Sequence, residues 1–133
     1  MKKRSMPNPI CRTAVGCAVL ILMCSATLAR AAGDPTAGAA LFEEECSECH
    51  TTTGKHKKGP TLRGIIGRKA GTATGYEDYS DAVKKSDLVW SAEALDRYLT
   101  KPQQFSPSIK MKYTGLASAA ERADLIEFLK TKK

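Results

Sequence analysis

Histidine, aromatics and, past its first thirty residues, cysteine are all scarce in this chain, and each scarcity removes a class of function. After residue 31 there are two cysteines, Cys46 and Cys49, and two histidines, His50 and His56. A structural zinc site takes four ligands, and no second cysteine pair is present to complete one. Aromatics make up 6% of the chain with a single tryptophan, so residues 32–133 carry little bulk for a core of their own. Few segments alternate as strands do, which leaves no βαβ frame for a thioredoxin-type Cys-x-x-Cys site. Repeats, low-complexity tracts and basic blocks interleaved with aromatics are all missing, so nucleic acid is excluded as a partner.

The basic character is also less than it looks. The formal net charge is +7, with 21 Lys and Arg against 14 Asp and Glu. Lys2, Lys3, Arg4, Arg12 and Arg30 account for five of those cations, and no acid precedes Asp34. Lys2-Lys3-Arg4, the uncharged run Thr13 to Leu28 and the small residues of Ala29-Arg30-Ala31 have the layout of a secretory signal peptide. Residues 1–31 are expected to be removed before Ala32, leaving residues 32–133 as one domain. The run is short of the about 20 apolar residues a spanning helix needs; if uncleaved, it would anchor the chain to a membrane. The exported domain is then nearly balanced in charge, and its compartment is expected to be a bacterial periplasm.

The pattern predicts helices separated by long loops. Asp34 followed by Pro35 is an N-cap followed by a first-turn proline, with Gly38, Leu41 and Phe42 on one face of the helix that follows. Thr51 to Thr74 is rich in Gly, Lys and Thr and reads as loop. Tyr79 to Lys85 predicts a short helix. Ser91 caps another, with Leu95, Tyr98 and Leu99 inward, and Lys101-Pro102 stops it. Gln103 to Leu116 reads as an extended loop. Ser118-Ala119-Ala120-Glu121 is a capping box that opens a last helix with Leu125, Phe128 and Leu129 on one stripe. The expected fold class is all-α, three to five helices, with loops that need something to pack on.

Cys46-Ser47-Glu48-Cys49-His50 supplies the reason. C-x-x-C-H is the attachment pattern of c-type haem. Two thiols about one helical turn apart can reach both vinyl groups of one porphyrin, and the adjacent imidazole then faces the iron. The sixth iron position decides function: methionine there gives an electron-transfer centre, and an open position permits ligand binding. Met111 is the one methionine after residue 31. On its own it reads either as that ligand or as a gap-filling core residue, although Lys110 and Lys112 beside it make plain burial less natural.

From Gly33 to about Lys130 the chain resembles a class I cytochrome c, of the mitochondrial and bacterial c2 type. Gly33-Asp34, Gly38 and Phe42 resemble the family's opening helix. Gly59-Pro60-Thr61-Leu62 resembles the loop beside its proximal histidine, and Gly64, Gly67, Arg68, Gly71, Gly75-Tyr76, Tyr79-Ser80 and Trp90 follow in its order. Tyr98-Leu99, Pro102, Pro107 and Lys110-Met111 resemble its distal loop, and Arg122, Leu125, Phe128 and Leu129 its closing helix.

The resemblance implies one covalent haem c on Cys46 and Cys49, with His50 and Met111 as axial iron ligands. It implies that the Pro60 carbonyl accepts the His50 ring N–H, that Arg68, Tyr79 and Trp90 hold or approach a haem propionate, and that the Tyr98 hydroxyl lies near the Met111 sulfur. The implied activity is single-electron transfer without substrate turnover or a small-molecule substrate. A monomer would dock transiently on membrane redox complexes, from a quinol-oxidising complex to a terminal oxidase, reductase or photosynthetic reaction centre.

The chain departs from the family in its distal loop and docking face. Pro107-Ser108-Ile109-Lys110-Met111 lacks the family's glycine and threonine, and the loop from His50 to Pro60 is shorter. Lys57, Lys58, Lys110 and Lys112 could contribute to a lysine ring, but Glu44, Glu45 and Glu48 flank the first cysteine, and Gln103 and Gln104 stand where lysines are expected. The altered distal loop keeps a second function class in view, a haem-based small-ligand binder or sensor with a labile sixth position. A peroxidase needs a distal acid–base group, for which only His56 is available.

Overall fold

A computed structural model describes residues 32–105 and 108–133. The expected signal segment and Pro107 lie outside the described residues. Four α-helices follow one another: α1 (Pro35–Glu45), α2 (Asp81–Lys84), α3 (Ala92–Thr100) and α4 (Ala119–Lys130). The expected all-α class holds: no strand forms among the described residues, only an isolated antiparallel bridge between Lys69 and Val89.

The helices begin where their caps dictate. The Asp34 carboxylate accepts the Thr36 N–H at 2.8 Å, with Pro35 next in the first turn. Ser91 Oγ accepts from Ala94 N–H at 3.1 Å and Ser118 Oγ from Glu121 N–H at 3.3 Å. These bonds satisfy helix-end donors that have no intrahelical partner. Lys101 leaves the helical region before Pro102, at φ −154° and ψ 84°, and ends α3. The segment expected to be wholly extended instead begins with a 3₁₀ turn, Pro102–Gln104, because Pro102 fixes the φ angle a first helical position requires.

The core forms where α1 crosses α4. Gly38 makes the crossing close: a Cβ there would lie 2.0 Å from the Asp124 carbonyl oxygen. Phe42 and Phe128 then meet with ring centroids 5.5 Å apart. Leu95 and Leu99 of α3 join Phe42, Leu125, Ile126, Phe128 and Leu129 in one buried cluster. Each such side chain contributes about 1.5–3 kcal/mol when fully buried. Far apart in sequence, the Asp34 N–H also donates to the Asp124 carboxylate at 2.7 Å.

Arg122 ties α4 to α3 and to the loop between them. It is 8% exposed. Its Nε donates to Asp96 at 2.9 Å, and one terminal nitrogen donates to the Leu116 and Ala117 carbonyls at 2.7 and 2.9 Å. A buried cation is tolerated only when its donors are satisfied in this way. Arg122→Ala removes all three bonds and is expected to cost about 3–5 kcal/mol. Urea denaturation followed by far-UV circular dichroism checks this, and a loss below about 1 kcal/mol would show the network to be dispensable.

Candidate functional site

The two thiols and His50 are placed by the end of α1. Cys46 is its C-cap, and the turn that follows is closed by Cys49 N–H and His50 N–H, which donate to the Cys46 carbonyl at 3.1 and 2.9 Å. Both cysteines are free and partly buried. Burial, reinforced by Glu45 and Cys49, pushes the Cys46 thiol up to about 11.

His50 is oriented from below by the next loop. The Gly59 N–H donates to the Cys49 carbonyl at 2.8 Å. A Cβ on Gly59 would lie 2.4 Å from the His50 ring, so only glycine allows this approach. The Pro60 carbonyl sits 2.7 Å from His50 Nδ1. A carbonyl can only accept, so Nδ1 carries the proton and Nε2 keeps a lone pair. Burial lowers the His50 pKa, which keeps the ring neutral. Orientation of a metal-binding imidazole by a backbone carbonyl is a common supporting bond.

Met111 is approached from α3. The Tyr98 hydroxyl donates to the Met111 sulfur at 3.4 Å, and Gln103 Nε2 donates to the Met111 carbonyl at 2.5 Å. Tyr98 stacks edge-on against Trp90, centroids 4.9 Å apart, and against Phe105 at 5.7 Å. Burial pushes the Tyr98 hydroxyl up to about 12, so it stays a donor. Trp90 is itself placed by backbone pairing: its N–H donates to the Arg68 carbonyl, and its carbonyl accepts from Gly67, both at 2.9 Å.

Among the residues expected near a propionate, the Arg68 guanidinium donates to the Arg63 and Thr61 carbonyls at 2.9 and 2.8 Å and interacts electrostatically with Tyr79. The Tyr79 hydroxyl accepts from Ala73 N–H at 3.1 Å. Arg68 and Tyr79 therefore share a neighbourhood, and Trp90 is paired with Arg68 through the backbone while its ring packs on Tyr98.

For three residues of the quoted segments, sequence reasoning missed the part they play. Ser80 is 7% exposed and its hydroxyl has no hydrogen-bond partner. Ile109 is 2% exposed despite its polar neighbours. Thr61 accepts from the Gly54 and Arg63 N–H groups at 3.2 Å each. Nothing in the periodicity marks them; each stands in a polar loop. His56, the spare histidine, is consumed structurally. The Thr61 N–H donates to its Nδ1 at 3.1 Å, and its Nε2 therefore donates to the Thr74 carbonyl at 3.0 Å.

This donor set fits a covalently attached haem. Two unpaired thiols stand beside a neutral imidazole with a free Nε2. A thioether sulfur is held by one hydroxyl, and a buried hydroxyl at Ser80 lacks an acceptor or donor of its own. No group of three or more metal-binding His, Cys, Asp or Glu side chains occurs among the described residues.

A family model described as Cytochrome c matches residues 35–133. The chain is similar to cytochrome c type-1 of Ascaris suum, 46% identical over 98 residues, covering 73% of this chain and 87% of that protein. Cytochrome c of Theileria annulata is 49% identical over 100 residues, covering 74% and 85%. Among solved structures, cytochrome cH from Methylobacterium extorquens superposes with a TM-score of 0.70 at 42% identity, covering 75% of this chain and all of that one. With Cys46-Ser47-Glu48-Cys49-His50 at the end of α1, this chain belongs to the cytochrome c family, electron carriers with covalently attached haem c and no substrate turnover of their own.

Proposed function

We propose that this chain is a periplasmic single-electron shuttle whose one haem iron is held by His50 and Met111. The observation that carries the reading is the Tyr98 hydroxyl directed at the Met111 sulfur, 3.4 Å away. A gap-filling methionine needs no donor on its sulfur. Cys46 and Cys49 hold the group covalently, His50 Nε2 and the remaining Met111 lone pair are the free donors, and Arg68, Tyr79 and Trp90 hold or approach a propionate, with the unpartnered Ser80 hydroxyl next to Tyr79 in sequence as a further donor.

When bound, haem c supplies the one-electron couple. The protein's residues do the rest. Pro60 fixes the His50 tautomer, and Tyr98 and Gln103 fix Met111. The donor is proposed to be a quinol-oxidising membrane complex, and the acceptor a terminal oxidase, reductase or photosynthetic reaction centre, each met transiently by a monomer. Export after the signal-like segment 1–31 puts haem and reduced thiols together outside the cytoplasm. No helix among the described residues is long and apolar enough to cross a membrane.

Absorption spectra of the haem-loaded protein, with and without carbon monoxide, test the ligands. A low-spin spectrum with the weak red methionine-to-ferric-iron band, unaltered by carbon monoxide, is expected. A high-spin spectrum or rapid carbon monoxide binding would instead favour the ligand binder or sensor. Tyr98→Phe keeps the ring packing and removes only the donor to sulfur. An unmodified sulfur donates more strongly and favours the oxidised form, so the reduction potential is expected to fall by less than in Met111→Ala. Potentiometric titration reads the difference, and an unchanged potential would mean the hydroxyl does not act on the ligand.

A further inference from the structure

Of the four lysines that could guide a partner, Lys58 and Lys110 are paired with carboxylates, Lys57 reaches a backbone carbonyl, and Lys112 stays exposed. The Lys58 ammonium pairs with Glu48 at 2.5 Å. The Lys57 ammonium donates to the Ser47 carbonyl, between the two cysteines, and also lies within electrostatic reach of Glu48. Lys110, next to Met111, pairs with Asp78. Glu45 acts on Cys46, and Glu44 is exposed in the last turn of α1. Gln103 and Gln104 stand where the resemblance expects lysines, and Gln103, exposed, donates to the Met111 carbonyl.

These ion pairs are exposed, and exposed pairs contribute little stability. Their effect on a distant partner does not depend on that strength. Opposite charges a few ångströms apart cancel beyond about one Debye length, roughly 8–10 Å at physiological salt. Taken together, Lys57, Lys58, Lys110 and Lys112 are balanced by Glu44, Glu45, Glu48 and Asp78, so the site-proximal surface has no strong field of one sign.

We propose that the face around Cys46, Cys49 and Met111 docks a redox protein whose own face carries little net charge, the complex being held by short-range contacts rather than gathered by long-range steering. Strong steering raises association rates by 10–10³-fold and fades steeply with salt; this face lacks the charge for it. The inference rests on the reading of the chain as a shuttle that exchanges electrons at this face.

The test uses the haem-loaded protein and ferricyanide, an anionic probe of local charge. One electron passes from the reduced protein to ferricyanide, giving ferrocyanide. The second-order rate is expected to change less than about threefold from low to physiological salt; a fall of about tenfold or more, the lower end of true steering, overturns the proposal. In Glu48→Gln and Asp78→Asn combined, Lys58 and Lys110 are unmasked. The low-salt rate should rise at least about threefold and acquire a salt dependence, and an unchanged rate overturns the masking argument.

An acidic probe peptide of glutamates, titrated by NMR, gives a readout independent of electron transfer. It should cause saturable shifts around Cys46 in the double variant and none in the parent. Saturable shifts in the parent count against the proposal. A high-spin parent spectrum fails the shuttle reading, whereas a low-spin parent with steep salt dependence fails this inference alone.

Discussion

Replacing Met111 with Ala should lower the reduction potential by on the order of 0.1 V, a fraction of the roughly 0.8 V that axial ligands span. Thioether ligation stabilises the reduced form relative to a water or an open position. Cys46 and Cys49 still hold the haem in the variant, so potentiometric titration reads the ligand alone and not cofactor loss. The Tyr98 hydroxyl loses its sulfur partner and Gln103 keeps its bond to the backbone of residue 111, so the loop should stay closed around an emptied ligand position. Carbon monoxide should then bind the reduced protein at neutral pH. A potential that barely moved would make the ligand assignment wrong, and Met111 would be a packing residue after all.

Gly38→Ala should cost about 3 kcal/mol or more, toward the upper end of the cost of overpacking. The contact is with backbone: the added Cβ would sit 2.0 Å from the Asp124 oxygen and 2.5 Å from its carbonyl carbon, and only 2.8 Å from Phe128 Cβ. No rotamer relieves that, so α1 must move off α4. The shift would separate Phe42 from Phe128 and release the Asp34 bond to Asp124. Domains of this size have about 5–15 kcal/mol in total, so the variant should melt far earlier in a urea titration. Ala40→Ser, on the exposed side of α1, should change stability by less than about 0.5 kcal/mol. Alanine is the better helix former, so an unchanged or raised stability in Gly38→Ala would show that the crossing is not tight there.

The two results are linked through the architecture. Cys46 caps α1, so the helix that Gly38 seats on α4 also carries the attachment site. His50 reaches its position because the turn after α1 is closed on Cys46, and because Gly59 leaves room for the ring. The site's precision on this side is inherited from the helix crossing. On the other side it is inherited from α3, which presents Tyr98 toward Met111 while Leu95 and Leu99 are buried in the core. The Arg122 network holds α3 and α4 in register.

What the sequence determined by itself is local. Asp34, Ser91 and Ser118 cap helices because a side chain reaches an N–H two or three residues away, and that reach is independent of the rest of the fold. The Cys46-x-x-Cys49-His50 spacing specifies its cofactor within one turn for the same reason. Pro60 beside His50 and Met111 beside Tyr98 came instead from the resemblance, since their contacts span 10 and 13 residues.

The tertiary structure decided what depends on distant segments meeting. Ile109, a lone apolar residue among polar neighbours, is 2% exposed although it stands outside the main buried cluster. His56 is spent on Thr61 and Thr74 because two loop segments meet at its ring. Two of the lysines read as a docking ring, Lys58 and Lys110, are paired with Glu48 and Asp78, the latter 32 residues from Lys110. Charge count is a property of composition, but the field a partner meets depends on which charges folding brings side by side.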